Sequence, residues 1–239
     1  MPAGISEDFA RPDAAPKGIG FCGKLPTHGD FLCRRLPDAF ARPWDAWLDA
    51  GIAASRTTLG AAWHKDYLAS PIWRFVASAG CCGDRAAAGV LMPSVDRVGR
   101  HYPLTVVALL ANGVSAISVA LAASEWFGDI ERLALSALLD DFRFDEFDAK
   151  LADRAPPDNA APLAPLLGGS GGVRNAAPAA DFDRALPGLI DGIIAARALR
   201  YSLWWAVDAD ERADFSCAYP GLPPAEEFHH LLRPTTGDG

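Results

Sequence analysis

The stretch from residue 72 to residue 110 contains three short apolar runs: Ile72-Trp-Arg-Phe-Val-Ala77, Ala87-Ala-Gly-Val-Leu-Met92 and Leu104-Thr-Val-Val-Ala-Leu-Leu110. Each run has the length and the content of apolar residues that are typical of a β-strand. The connections between them are too short for a crossover helix, so neighbouring runs are expected to pair antiparallel. The stretch therefore predicts a β-meander and argues against a doubly wound parallel sheet.

A long helix is predicted before the meander. Its large apolar residues recur at helical spacing and form one stripe: Phe40, Trp44, Trp47, Leu48 and Ile52. Proline suits the first turn of a helix, so we expect the helix to begin near Pro43 rather than at Pro37. Gly60 is the expected stop.

Further helices and strands are predicted on both sides of the meander. The helices are expected at 124–138 with Ser124 as N-cap, at 145–151, at 182–199 and at 224–232, and the strands at 19–22, 201–207 and 213–218. Trp204 and Trp205 must point to opposite faces of their strand. Both are buried only if helices cover both faces of the sheet, unless one of them meets a partner. The pattern predicts a single α+β domain with a largely antiparallel sheet flanked by helices.

Composition divides the chain into one domain and three looser segments. Residues 1–17 contain three prolines among scattered charges and are expected to form a flexible N-terminal arm. The domain is assigned to residues 18–232, and residues 233–239 to a C-terminal tail. Within the domain, residues 154–180 are rich in Ala, Pro and Gly, which predicts a mobile loop.

Charge and cysteine content limit the class of protein. The chain has 22 Lys and Arg against 30 Asp and Glu, a net charge of −8, which argues against non-specific binding to nucleic acid or to an anionic membrane. No signal peptide and no membrane-length apolar run is recognised. The five cysteines are an odd number without a C-x-x-C pair. We therefore expect a cytoplasmic protein with reduced thiols.

Two phosphate-binding motifs, G-x-G-x-x-G and the G-x-x-x-x-G-K of a P-loop, match the run Gly18-Ile-Gly-Phe-Cys-Gly-Lys-Leu25. A P-loop requires a hydroxyl residue after the lysine, and this chain has Leu25 there. Pro26 and Gly29 also disfavour the helix whose N–H groups would hold a phosphate. A strand leading into a turn is the preferred interpretation.

Other catalytic groups are sparse. His28 and Asp30 could belong to a catalytic triad, but no G-x-S-x-G elbow accompanies them, and a polar turn capped by Asp30 is the simpler interpretation. The pair Cys81-Cys82 lies between two strands, and no set of Cys and His has metal-ligand spacing. No metal or cofactor is expected.

The loop Asp96-Arg97-Val98-Gly99-Arg100-His101 is the strongest candidate site. It joins two apolar strands and concentrates cationic and titratable groups beside one carboxylate. Binding residues are often carried by such loops between rigid elements. The alternative is that Asp96 pairs with Arg97 or Arg100 only to order the turn.

Three ungapped blocks resemble a known family. They are Gly20-Phe-Cys-Gly-Lys-Leu-Pro-Thr-His-Gly-Asp-Phe31, residues 42–51, and residues 89–104, and Tyr201-Ser-Leu-Trp-Trp205 with residues 221–223 follows them. In this order they resemble the TagF family of type VI secretion accessory proteins. The resemblance implies a helix-flanked sheet with a longin-like topology and a non-enzymatic, post-translational repressor of secretion assembly. It also implies a partner with a forkhead-associated (FHA) domain, for which Asp96, Arg97, Arg100, His101, His28 and Asp30 are candidate contacts.

Several alternatives stay open at this level. The chain could be a small hydrolase that uses Cys or Ser with His28, a nucleotide hydrolase that uses residues 18–24, or a structural subunit of the apparatus. Thr27 and Thr235 each stand three residues before an aspartate, a spacing that would suit phosphothreonine recognition by an FHA domain. Docking that does not depend on phosphate is preferred, and homo-oligomerisation is left open.

Overall fold

An open antiparallel sheet of seven strands forms the centre of the computed structural model, which describes residues 18–157, 162, 164, 172, 174, 182–207 and 213–233. Its spatial order is β2-β1-β5-β4-β3-β6-β7. The strands are β1 (Gly20–Gly23), β2 (Leu32–Arg34), β3 (Trp73–Ala77), β4 (Ala87–Met92), β5 (Leu104–Leu109), β6 (Tyr201–Val207) and β7 (Ala213–Pro220). The predicted meander is confirmed as β3–β4–β5, and the predicted α+β class is confirmed with it. The expected arm 1–17, most of the loop 154–180 and the tail beyond 233 lie outside the described residues.

Helices cover both faces of the sheet. One face packs against α1 (Asp38–Leu59), α2 (Trp63–Leu68), a 3-10 turn (Ala225–Glu227) and α7 (His229–Leu232). The other packs against α3 (Ala116–Ala122), α4 (Ser124–Ser136), α5 (Phe144–Asp153) and α6 (Phe182–Ala196). Trp204 is therefore buried against Trp44 and Phe75, while Trp205 lies half-buried against Phe127. No described helix is both long enough and apolar enough to span a membrane.

Two predicted helix starts are wrong. Helix α1 begins at Asp38, with Pro37 in extended conformation as its N-cap, and Pro43 lies inside the helix. The extra turn brings Phe40 onto Trp44 in the core, and this burial outweighs the backbone hydrogen bond that Pro43 cannot donate. The predicted stop is confirmed, because Gly60 is the C-cap of α1.

The predicted N-cap of helix α4 is also wrong. The sequence pattern did not indicate helix α3, which lies directly before α4. Ala123 ends α3 and precedes α4, and Ser124 is the first residue of α4 rather than its cap. The capping serine is Ser115, whose hydroxyl accepts a hydrogen bond from the N–H of Ser118 at the start of α3. The predicted terminal helix is similarly divided into the 3-10 turn and α7.

Candidate functional site

Two loops meet at one end of the sheet and form what we call the two-loop site, residues 24–31 and 93–103. The first follows β1 and the second connects β4 to β5, which lies beside β1. The hydroxyl of Ser94 donates to the carbonyl of Lys24 at 2.7 Å, and the N–H of Arg97 donates to the carbonyl of His28 at 2.9 Å. The guanidinium of Arg100 donates to the carbonyl of Gly29 at 2.6 Å. These bonds hold the two loops as one unit.

Asp96 is the centre of the two-loop site. Its carboxylate is fully buried and accepts hydrogen bonds from the N–H groups of Val98 (3.0 Å) and Arg100 (2.9 Å). The second oxygen lies 2.5 Å from Arg100 Nε and 3.1 Å from Lys24 Nζ. Desolvation opposes ionisation, but the Arg100 and Lys24 contacts outweigh it and hold the pKa of this carboxyl well below its usual range. Asp96 therefore orders the loop, as in the alternative interpretation that it pairs with Arg97 or Arg100, and the structure has the pair with Arg100.

Substituting Asp96 with asparagine should make stability less dependent on pH. A carboxyl whose pKa is lowered by folding stabilises the native state above its unfolded pKa of about 4, and that contribution disappears as the pH falls through the lower folded pKa. The wild type should have the higher thermal midpoint at pH 7, and the difference should shrink on acidification. Midpoints between about pH 7 and pH 2.5 test this. Asp30→Asn, an exposed carboxylate on the neighbouring loop, is the control; a constant difference for Asp96→Asn would contradict the prediction.

The tip of the site presents cations and apolar side chains to solvent. Arg97 and Val98 are exposed, and Val98 retains 70% of its surface. Arg100 also remains 61% exposed despite its ion pair. Within the described part of the chain, the Arg97 side chain makes no hydrogen bond or ion pair. Phe31, on the first loop of the site, is 42% exposed, with its ring edge-on to Tyr102.

The remaining candidate residues from the sequence, His28, Asp30 and His101, do not all lie at the tip of the site. His28 belongs to the site, with its ring 4.6 Å from that of Phe144 on α5. Asp30 is exposed, and no side-chain hydrogen bond to other described residues supports the predicted turn cap. His101 faces away from the tip, because its ring packs edge-on to Trp63 and Tyr67 of α2. Burial, together with neighbouring positive groups, lowers the pKa of His101.

Sequence reasoning missed two contributors to the site, Lys24 and Phe31. Lys24 was considered only as part of a run that partly matches phosphate-binding motifs, yet it forms an ion pair with the buried Asp96. One sequence signal could have indicated that the two loops belong to one site. Each loop lies within one of the blocks quoted above, residues 20–31 and residues 89–104. The residues of the two blocks contact each other, although they are far apart in the sequence.

The glycine-rich run does not form a phosphate-binding loop. Gly20–Gly23 is strand β1, held between β2 and β5, so no helix opens at Lys24. Gly23 has a φ of +137°, and a Cβ there would lie 2.1 Å from the carbonyl oxygen of Pro103. Close backbone approach therefore explains this glycine without a ligand.

Nucleotide binding is expected to be absent from this run. In a thermal-shift or calorimetric titration, ATP and GTP should give only background signal with the wild type, and Lys24→Ala should give the same background. Lys65→Ala, which changes an exposed lysine on α2, is the control variant in the same titration. Saturable binding that is lost only with Lys24→Ala would contradict the strand interpretation.

The cysteines are the other candidates for catalysis or metal binding. All five cysteines are free thiols, and Cys81 and Cys82 lie in the loop between β3 and β4, as expected. Cys33 lies on β2 opposite Cys22. Among the residues that the structure describes, no group of three or more His, Cys, Asp or Glu could hold a metal ion.

Comparisons with known proteins found one family model and similar solved structures. A sequence model of the TagF N-terminal domain, type VI secretion system-associated, matches residues 20–153, which include both loops of the site. The crystal structure of PA0076 from Pseudomonas aeruginosa PAO1 is similar, with 38% sequence identity and a TM-score of 0.77 over 90% of this chain and 93% of that one. No curated protein matches the chain. The protein therefore belongs to the TagF family of type VI secretion system-associated proteins.

Proposed function

We propose that this protein is a non-enzymatic, cytoplasmic repressor of type VI secretion that acts after translation by binding an FHA-domain protein of the same system. The family assignment supports a role in type VI secretion. The partner and the repressor role rest on the resemblance of the three blocks. The observation that carries the binding surface is the tip of the two-loop site, where exposed Arg97 and Arg100 project from a loop fixed by buried Asp96.

This arrangement favours binding because the loop is ordered before a partner arrives. Hydrogen bonds and ion pairs of Asp96 fix the backbone around Arg97, so association does not have to order it. Arginine is enriched among the residues that dominate interface energies, and an apolar neighbour helps to exclude water. Val98, which lies between the two arginines in the sequence, supplies exposed apolar surface on the same loop.

Removing the Arg97 side chain tests the contact without disturbing the loop. Its backbone N–H, not its guanidinium, bonds to His28, so Arg97→Ala should keep the thermal midpoint while weakening the complex at least about tenfold. Arg132→Ala, an exposed arginine on α4, is the matched control. Arg100→Ala should weaken binding and also lower the midpoint, because it removes the ion pair with Asp96.

Three results would count against the proposal. Unchanged affinity in Arg97→Ala together with Arg100→Ala would place the interface elsewhere. A lower thermal midpoint in Arg97→Ala would make that side chain structural. If a pull-down from the native bacterium recovers no FHA-domain protein, the partner itself is wrong.

Docking is proposed to be independent of phosphorylation. Thr27 is exposed, with its hydroxyl 2.9 Å from Nδ1 of His28, so a kinase could reach it. Thr27→Ala should nevertheless leave affinity unchanged, because the tip contacts do not require a phosphate. Loss of binding in Thr27→Ala would favour the phosphothreonine mode instead. Thr235 lies outside the described residues.

A further inference from the structure

The outward face of α6 carries a stripe of large apolar side chains, which we call the α6 stripe. Its members remain about two-fifths to one-half exposed: Phe182 (54%), Leu186 (37%), Ile190 (43%) and Ile193 (45%). Leu199, just beyond the helix, is 59% exposed. Contiguous apolar surface of this kind commonly marks an interaction site, whereas single exposed apolar residues do not.

The opposite face of α6 packs against the rest of the domain, so the stripe is not the face that the domain core requires. Ala185, Pro187, Gly188 and Gly192 are buried there. Asp191 on the same inner face accepts a hydrogen bond from the hydroxyl of Ser115 at 2.9 Å, and the carbonyl of Gly188 accepts one from Ala164. The orientation of α6 is therefore fixed with the stripe outward.

We propose that the α6 stripe binds the α6 stripe of a second copy of this chain, with the two helices antiparallel across a twofold axis near Ile190. In such an interface each residue contacts a counterpart placed symmetrically about the axis. Leu186 then meets Ile193 of the second copy, and Ile190 meets its own counterpart at the axis. Apolar residues are thus matched through the central turns of the helix.

Charge at the two ends of the stripe favours the same arrangement. Asp183 lies in the first turn of α6 and Arg197 lies just after its last residue, both near the line of the stripe. An antiparallel pair centred on Ile190 places Asp183 of each copy beside Arg197 of the other. No charged residue interrupts the stripe between them, so two copies of an acidic chain can approach here without like-charge repulsion.

The interface is expected to be modest in size. Helix α6 has 15 residues and is therefore about 22 Å long. One such helix face buries less than the roughly 800 Å² per partner of a stable standard interface, so a concentration-dependent dimer is expected.

Sedimentation equilibrium of the purified full-length chain tests the proposal. The wild type should associate as its concentration rises to about 100 μM. Ile190→Glu places two carboxylates at the axis and should weaken association at least about tenfold, because like charges in an interface are strongly unfavourable. Leu68→Glu is the matched control; it changes a 52% exposed leucine on the opposite side of the sheet and should leave association unchanged. A thermal scan of each variant checks that it is folded.

Charge reversal tests the antiparallel geometry separately. Asp183→Arg or Arg197→Asp alone should weaken association several-fold, since each creates two like-charge contacts across the axis. The two substitutions together should restore it, because they exchange the partners and keep the pairing. Failure of the double variant to recover would overturn the proposed geometry.

The remaining outcomes are equally decisive. A protein that stays monomeric at about 100 μM would overturn the proposal, and another segment of the chain or a different protein would then cover the stripe. A dimer that Ile190→Glu leaves intact would place the interface elsewhere. None of these results depends on the FHA-domain partner, which is absent from the experiment.

Discussion

Replacing Trp44 with alanine is expected to lower the free energy of unfolding by about 3–5 kcal/mol. The Trp44 side chain is fully buried on α1. Its ring stacks on Phe75 at 4.8 Å and on Phe40 at 5.4 Å, with Trp204 at 6.1 Å. The substitution therefore removes a large apolar surface from the packing of α1, β3 and β6 and leaves a cavity that helix and sheet cannot close. Thermal or denaturant unfolding would measure the loss, with a midpoint lowered by about 10 °C.

Two further variants separate packing from hydrogen bonding at Trp44. The indole N–H donates to the hydroxyl of Thr105 at 2.9 Å, so Thr105→Val should leave a buried donor unpaired and cost about 1–3 kcal/mol. Trp126→Ala is the matched control, because Trp126 is only half-buried at the edge of α4 and should cost less than Trp44→Ala. Equal losses at Trp44 and Trp126 would contradict the central role of the aromatic stack.

The sequence predicted those elements whose periodicity is repeated over several residues. The stripe on α1 and the three runs of the meander are long enough for spacing to identify them. The adjacent pair Trp204-Trp205 left two possibilities, helices on both faces of the sheet or a partner at one tryptophan, and the structure has helices on both faces.

Short or tertiary features were not predictable in the same way. Strand β2 has three residues, and it exists because it pairs with β1, not because of its own pattern. Helix α3 has seven residues and follows a turn whose cap, Ser115, is buried against Asp191 of a distant helix. These elements depend on contacts between residues far apart in the chain.

The candidate loop could be selected from the sequence, but the contacts that hold it could not. Charge density and position between strands identified the loop with Asp96, Arg97 and Arg100. The sequence could not show that Asp96 is buried against Lys24, because that contact joins two loops that are separate in sequence. It also could not show that His101 turns towards α2, away from the tip.

Arg74 is the clearest case in which tertiary structure overrides a sequence pattern. It interrupts the apolar run of β3 and would suggest a solvent-facing position, yet only 1% of the residue is exposed. Its guanidinium lies 2.6 Å from a carboxylate oxygen of Glu131 on α4, and that side chain is 15% exposed. A charged pair thus joins a central strand to a helix that covers it.

Glu131→Ala is expected to lower the free energy of unfolding by about 3 kcal/mol, because it removes a carboxylate partner from a buried guanidinium. The residual exposure of Glu131 allows some solvent screening, which places the expected loss at the lower end of the range for buried pairs. Replacing both members, Arg74→Met with Glu131→Leu, should recover most of the loss, since no buried charge then remains. Chemical denaturation of the single and double variants measures both changes, with Arg132→Ala as the exposed control on the same helix. A double variant no more stable than Glu131→Ala alone would show that the arginine stabilises β3 mainly through its other contacts.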